Sequence, residues 1–399
     1  MIVMVMNCGS SSLKYKLISM PEEKQLAGGE AQRVGPKTSE PARIIHRVGG
    51  EETTHFVDME DHSVAFREVM KLLGDNPELQ PDALGHRMVH GGDRFKNHTL
   101  VDDYTIKVLE EIQGLAPLHN PPATKLLKSC YEMYPDLPSS VVFDTSFHSH
   151  MPEYAYTYAL PKDLREKDGI RKYGFHGTSH QFVVEETARL MNKPLETFNA
   201  VSCHLGSGGA SLCAVINGSS VDNTMGYSPL QGLMMSTRSG DLDPSVVMSL
   251  MVQNHGKPDP VEKQLNKKSG VLGLSGVSSD IRDIFSMKDK QGDNRKINET
   301  ASLYLRRIRK YLGAYLTVVG NADAMIFTDT IGETMPQVRA MVCSAMEVFG
   351  LEIDKEKNDT LELPAVCSTD KSPVKIFSVR TNEELAIARQ TLALIEKAA

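Results

Sequence analysis

The stretch "NCGSSSLKYKL" at residues 7–17 gathers a glycine, three serine hydroxyls and Lys14 around one turn. Glycine lets a backbone approach a ligand closely, and successive turn N–H groups form a concavity for anions, so a phosphate is the natural guest. No G-x-x-x-x-G-K-[ST] loop or strand-linked G-x-G-x-x-G accompanies it, and such a turn alone is more often just a hairpin connection. Other stretches supply company. "ALGHRMVHGGDRF" puts Arg87 in a buried-looking strand ending at a Gly-Gly turn. A buried guanidinium needs an anionic partner, and its planar fork suits a carboxylate or phosphate. "VVFDTSFHSHMP" ends an apolar run on Asp144, where parallel sheets present site residues. "YGFHGTSHQF" spaces His176 and His180 four apart. A metal pair is one reading, but Gly177 and the Thr178/Ser179 cap signals indicate a turn entering a helix, which favours a single phosphate-facing histidine. Arg238 lies in a further Gly/Ser turn, "MMSTRSGDLDP".

Strand and helix patterns alternate along the chain that must position these groups. Strands are expected over 2–6, 13–18, 42–46, 83–89, 140–144, 200–204, 210–216, 323–328 and 374–379. Apolar spacings of three and four predict helices over 64–73, 104–115, 123–134, 179–191, 299–319, 335–349 and 383–397. The charges Arg306, Arg307, Arg309 and Lys310 read as a solvated helix face. This alternation indicates an α/β protein. "VMVMNCGSSSLKYKLI" and "AVSCHLGSGGASLCAVI" also share a plan of strand, Gly/Ser turn and strand. Each is followed by a buried strand ending in an acid or hydroxyl, "VVFDTS" and "MIFTDT", as two copies of one unit would be.

With 399 residues and 40% hydrophobic content, the chain exceeds the roughly 250–300 residues at which one core stops growing, so two domains are expected. A net charge of -7 argues against nucleic-acid binding while leaving room for a locally basic anion site. The six cysteines are scattered without a CxxC pair, as reduced buried thiols are. The first apolar run is too short for a signal peptide, and no run reaches the ~18 residues of a membrane span. A cytoplasmic protein is expected.

Taken together, "NCGSSSLKYKL", "GHRMVHGGDRF", "LAPLHNPPA", "VVFDTSFHSHMP", "YGFHGTSH", "CHLGSGGASL", "MGYSPLQGLMMSTRSGDLDP", "KKSGVLGLSGVSSDIRD" and "TNEELAIA" resemble the acetate kinase family, in family order and over almost the whole chain. The resemblance implies a duplicated ribonuclease-H-like (actin-like ATPase) fold with the active site between the halves. The first domain would span 1–148, completed by 383–399. The second, 149–382, would bind nucleotide and form a homodimer. The implied reaction is reversible, direct in-line phosphoryl transfer between ATP and acetate, giving acetyl phosphate and ADP, with Mg2+. Neither a nucleic acid nor a membrane would be a partner. Magnesium is assigned by resemblance to Asn7 and Glu383, with Glu384 adjacent and not excluded. Ser10, Ser12 and Lys14 would meet the phosphoryl end of the nucleotide. Arg87 would hold the acetate carboxylate, within an apolar pocket of Val89, Leu118, Phe175 and Pro229. Asp144 would orient the attacking carboxylate or handle its proton, and His176 and Arg238 would stabilise the transferring group. The nucleotide would touch His204, Leu205, Gly206, Ser207 and Gly208, then Asp280, Ile281 and Arg282, then a turn of Thr330, Ile331, Gly332, Glu333 and Thr334.

Two nucleotide-side stretches depart from the family. "FTDTIGET" stands where F-T-A-G-I-G-E-N is common, so Asp329, Thr330 and Thr334 replace Ala, Gly and Asn. The loop "HLGSGGAS" has Ser207 for Asn and is one residue longer than the commonest form. These changes leave the reaction class intact and open the choice of phosphoryl donor, with another nucleotide or pyrophosphate as alternatives. A propionate or butyrate kinase is the near rival; a non-catalytic or chaperone-like ATPase of the same superfamily is the distant one and should lack the Arg87, Asp144, His176 and Arg238 set.

Overall fold

A computed structural model describes residues 1–35, 38–74, 76–117, 119–291 and 294–398. The chain divides into two units, Met1–Ser149 with the C-terminal segment from Asn382, and His150–Thr381. The first unit carries β1 (Ile2–Cys8), β2 (Ser12–Ser19), β3 (Lys24–Gln32), β4 (Arg43–Val48), β5 (Glu51–Phe56), β6 (Ala83–Met88), β7 (Thr99–Leu100) and β8 (Ser139–Phe143). The second carries β9 (Ala200–Leu205), β10 (Ala210–Ile216), β11 (Ser219–Asn223), β12 (Ala324–Thr328), β13 (Ala365–Val366) and β14 (Lys375–Ser378).

The two sheets share a five-strand plan. In the first the order is β5-β4-β3-β2-β1-β6-β8-β7, and in the second β11-β10-β9-β12-β14-β13. β1 pairs antiparallel with β2 and parallel with β6, which pairs parallel with β8. Likewise β9 pairs antiparallel with β10 and parallel with β12, which pairs parallel with β14. Hence β3-β2-β1-β6-β8 corresponds to β11-β10-β9-β12-β14. This is the mixed α/β, duplicated architecture of the actin-like ATPases. The expected match of "VVFDTS" with "MIFTDT" is corrected by this order. β12 lies beside β9, whereas β6 separates β8 from β1, so β6 is the counterpart of β12.

Burial explains the strand types. β8, β9 and β12 are buried at every position, as parallel strands covered on both faces must be. β2 alternates, with Leu13, Tyr15 and Leu17 buried and Lys14 exposed. The helix Glu383–Ala398 packs on β1, β6 and β8, and its Thr391 Oγ1 lies 2.7 Å from Ser140 Oγ.

Several expected elements change extent. The helix expected over 335–349 is Pro336–Cys343, because Ala345 turns left-handed at φ 52° and Glu347–Phe349 forms a separate 3-10 turn. The helix expected over 104–115 ends at Glu111. On the helix Arg295–Val319 the charged run is not purely solvated: Arg307 donates to Gly232 O at 2.8 Å and Arg309 to Met341 O at 2.8 Å. Among the described residues no helix is long and apolar enough to cross a membrane.

His86 on β6 is buried, and its Nε2 has no partner among the described residues. Burial pushes this imidazole down to about 3. The unfolded chain, with an ordinary histidine near 6.5, therefore holds more protons between those values. Stability should fall as pH drops from about 6.5 towards 3, by up to ~1.4 kcal/mol per pH unit from this group. His86→Leu should flatten the dependence of the urea midpoint on pH between 6 and 4; an unchanged slope would refute the assignment.

Candidate active site

In the first unit one sheet face collects charge. Asn7 lies at the end of β1, and the register sets it opposite Lys14 on β2. Met6 aligns with His86 on the parallel neighbour, so Asn7 and Arg87 follow on one face, which Asp144 joins just past β8. Arg87 Nε lies 3.1 Å from Asp144 Oδ1 and Nη2 2.6 Å from Oδ2, a two-pronged grip. Nη1 reaches Asn7 Oδ1 at 3.3 Å, and Glu383 Oε2, on the C-terminal helix, lies 3.7 Å from Nη2. Burial alone would lower the Arg87 guanidinium, but Asp144, Glu383 and Glu384 together raise it, so the cation is held firmly charged. Glu384 is engaged elsewhere, 3.1 Å from Lys16 Nζ. The structure therefore brings Asn7, Arg87, Asp144 and Glu383 together. Ser10 is exposed on the turn that the Gly9 N–H closes to Ser12 O at 2.8 Å, and Lys14 is exposed beside it. Val89 is half-buried just beyond β6, and Leu118 lies outside the described residues.

The second unit carries the other set. His176 caps the helix Gly177–Leu190 in the left-handed region at φ 58°. For a residue with a β-carbon this costs ~1–2 kcal/mol, and such strain clusters at functional sites. Its Nδ1 lies 2.8 Å from Ser211 Oγ, and its ring stacks on that of His204 at 4.2 Å between centroids. His180 is no metal partner for it: the His180 nitrogens lie 2.9 Å from Ser202 Oγ and 2.8 Å from Ser211 Oγ. Arg238 donates to Pro229 O at 2.7 Å and to Gly208 O at 3.0 Å. Both acceptors are neutral, and among the described residues no carboxylate pairs with this half-buried cation. Burial lowers its affinity for its proton. Phe175 is buried next to His176, and Pro229 is thus drawn to Arg238.

Gly209, which sequence reasoning passed over, is where these groups converge. A β-carbon there would sit 2.7 Å from Arg238 Nη2 and 3.2 Å from His176 Nε2. The loop is closed by the Gly206 N–H to Gly209 O at 2.9 Å, leaving Ser207 and Gly208 exposed, while His204 and Leu205 are buried at the end of β9.

The remaining nucleotide candidates form two clusters. Arg282 grips Asp280 through Nε at 3.0 Å and Nη2 at 2.6 Å, with buried Ile281 between them. The turn expected at 330–334 is a short helix, Asp329–Thr334, in which Ile331 and Gly332 are buried. Glu333 Oε1 accepts from the N–H groups of Asp329 at 2.9 Å and Thr381 at 3.0 Å. Fully buried Arg339, also missed in the sequence, ties down this helix by donating to the carbonyls of Gly332 and Glu333, each at 2.9 Å. Arg282 and Thr334 share the lining of a cavity of about 450 Å³ with Met335, Pro336, Gln337 and Asp359. Asp329, which the sequence marked only as a departure from the family pattern, also belongs to this cluster. Burial raises its carboxyl, but hydrogen bonds from His204 and Thr330 outweigh that and hold it well below the usual carboxylate range.

These features agree with a profile of the acetokinase family, which matches residues 2–389. The chain belongs to the acetokinase family. An acetate kinase of Alkaliphilus metalliredigens is 46% identical over 99% of this chain and 100% of its own. The crystal structure of Porphyromonas gingivalis acetate kinase superposes with a TM-score of 0.92 at 37% identity, covering 99% of both chains. A propionate kinase from Francisella tularensis superposes at 0.90 and 34% identity, covering 98% of this chain and 99% of that one. The acetokinase chemistry is phosphoryl transfer to a carboxylate, so this chain is an enzyme, a kinase.

Gly209→Ala isolates the converging pair. The atoms it would displace are the tip of a flexible arginine and a ring nitrogen, so the fold should survive with Tm within about 3 °C. The kcat should fall roughly a hundredfold through misplacement of Arg238; full activity in the folded variant would refute the convergence.

Proposed function

We propose that the chain catalyses the reversible, Mg2+-dependent transfer of a phosphoryl group between ATP and acetate, giving acetyl phosphate and ADP. The observation that carries this reading is the Arg238 guanidinium, without a carboxylate partner among the described residues, meeting His176 Nε2 at Gly209. Charge developing on the equatorial oxygens of a transferring phosphoryl group is what such donors stabilise. Arg87 supports the acyl side, since its fork already grips one carboxylate, Asp144. Its Nη1 edge makes only the longer contact to Asn7 and would receive the acetate. Asp144 would then orient Arg87 and the attacking carboxylate, which needs no strong base because it is ionised at neutral pH.

Asn7 and Glu383 offer an amide oxygen and a carboxylate beside one guanidinium. This is a hard-oxygen set of the kind that completes a Mg2+ shell together with water and substrate phosphates. The ion would neutralise phosphate charge. Glu384, paired with Lys16, is the less suited of the two glutamates. Ser10, Ser12, Lys14 and the loop His204–Gly208 would serve the phosphates. The cavity lined by Arg282 and Thr334 would take the base, a planar guanidinium being a good stacking surface.

An acyl-phosphate trap with hydroxylamine, run with acetate, propionate and butyrate, tests the reaction. Acetate should give the highest kcat/KM, with propionate lower by roughly 10- to 200-fold per added methylene. ATP hydrolysis without hydroxamate would overturn the function, and a propionate preference would overturn the substrate. Arg87→Ala should raise the KM for acetate far more than that for ATP; equal losses would refute the acyl role.

The reading includes a cytoplasmic homodimer. All six cysteines are buried and unbridged, as in a reducing compartment. On the helix Pro244–Gln253 no residue is buried, and Met248 and Val252 are 70% and 78% exposed, an apolar face suited to a second copy. Light scattering should give a dimer mass for the wild type and a monomer for Met248→Glu; a wild-type monomer would refute this.

A further inference from the structure

Asp329 has no part in the phosphoryl-transfer scheme, yet its carboxylate is fully engaged at the phosphoryl side of the second unit. It opens the short helix Asp329–Thr334 in the left-handed region at φ 61°, a conformation that aspartate tolerates better than most residues. Oδ1 accepts from Thr330 N at 2.5 Å and from Thr330 Oγ1 at 3.0 Å. Oδ2 lies 2.9 Å from His204 Nε2.

An ionised carboxylate can only accept, so the His204 proton facing it sits on Nε2. His204 Nδ1 then accepts from the Ser179 hydroxyl at 2.9 Å, and Ser179 accepts from Thr381 Oγ1 at 2.9 Å. The bonds run in one direction, from Thr381 through Ser179 and His204 to Asp329. The locked His204 ring is buried and forms the wall on which His176 stacks, at 4.2 Å and an interplanar angle of 29°. With His176 Nδ1 on Ser211, the stack fixes the plane in which Nε2 points towards Gly209 and Arg238.

We propose that Asp329 is a positioning residue for phosphoryl transfer: it sets the tautomer and plane of His204 and, through the ring stack, the aim of His176. This rests on the acetate kinase reading of the site.

The substitution Asp329→Asn gives a sharp test. An amide has one acceptor end and one donor end. The oxygen must take the Oδ1 position, where two Thr330 donors meet it, so the NH2 group faces His204 Nε2. The ring proton should then move to Nδ1. Asp329→Gly removes the side chain without straining the left-handed backbone and leaves His204 with no acceptor.

Nitrogen-15 NMR of the histidine rings at pH 8, with His204 assigned by its absence in His204→Gln, should show the Nε2–H tautomer in the wild type and the Nδ1–H tautomer in Asp329→Asn. The opposite tautomer or a doubly protonated ring in the wild type would overturn the proposal. In the acyl-phosphate assay both variants should lose about tenfold or more in kcat, with the KM for acetate within about twofold. Wild-type kcat in a variant with a flipped or unlocked ring would equally overturn it. A wild type that forms no acyl hydroxamate would instead sink the functional reading, and the NMR comparison would still decide whether Asp329 sets the ring.

Discussion

A guanidinium withdrawn from bulk water must find anionic company, and the two arginines at the heart of this chain meet that demand in opposite ways. Arg87 is gripped by Asp144, with Glu383 close by. Among the described residues Arg238 has only the carbonyls of Pro229 and Gly208. The first is a settled pair that fixes geometry. The second leaves positive charge uncompensated beside a strained histidine, which is the usual condition of a site that waits for an anionic substrate. The proposed reaction joins two anions that repel each other before any chemistry begins, and under that reading each unit would contribute one cation to offset the repulsion.

The sheets supply the precision. Because side chains on adjacent strands of matched register share a face, Asn7, Arg87 and Asp144 are aligned by backbone pairing before any side-chain contact forms. In the second unit the equivalent strands β9 and β12 end at Leu205 and Thr328, with His204 and Thr328 paired in register. The glycine loop after β9 and the helix Asp329–Thr334 after β12 are thereby held in place. Loops carry the chemistry, and strand ends decide where the loops start.

Much of this was legible in the residue pattern. Central strands such as β8, β9 and β12 announce themselves as continuous apolar runs because both faces are covered. Arg87 and Asp144 stood out because a charge punctuates such a run, and His176 and Arg238 because they sit in Gly- and Ser-rich turns. Less legible were β3, whose "AGG" interior lacks a strand pattern, and β5, whose residues are mostly exposed. The helices between 244 and 291 were also missed. Pro244–Gln253 is apolar except along the narrow stripe of Ser245, Ser249 and Gln253, so its period is weak, although Asp243 and Pro244 offered a cap signal. Gly209 escaped, and Asp329 was visible only as a departure from the family pattern, for a different reason: their significance lies in which side chains surround them, and spacing along a chain does not encode that. The apparent kinship of "VVFDTS" and "MIFTDT" misled because both are buried strands before a polar turn, and only pairing order separates them.

The helix Glu383–Ala398 belongs to the first unit although it is made after the second. During synthesis the N-terminal sheet emerges early with an uncovered apolar surface and without Glu383 beside Arg87. The His150–Thr381 unit can complete its own core first, and only then does the last helix arrive to seal the older one. On the ribosome, then, the N-terminal sheet precedes the helix that covers it by more than the whole of the second unit, and its apolar face has no cover until Glu383–Ala398 has been made.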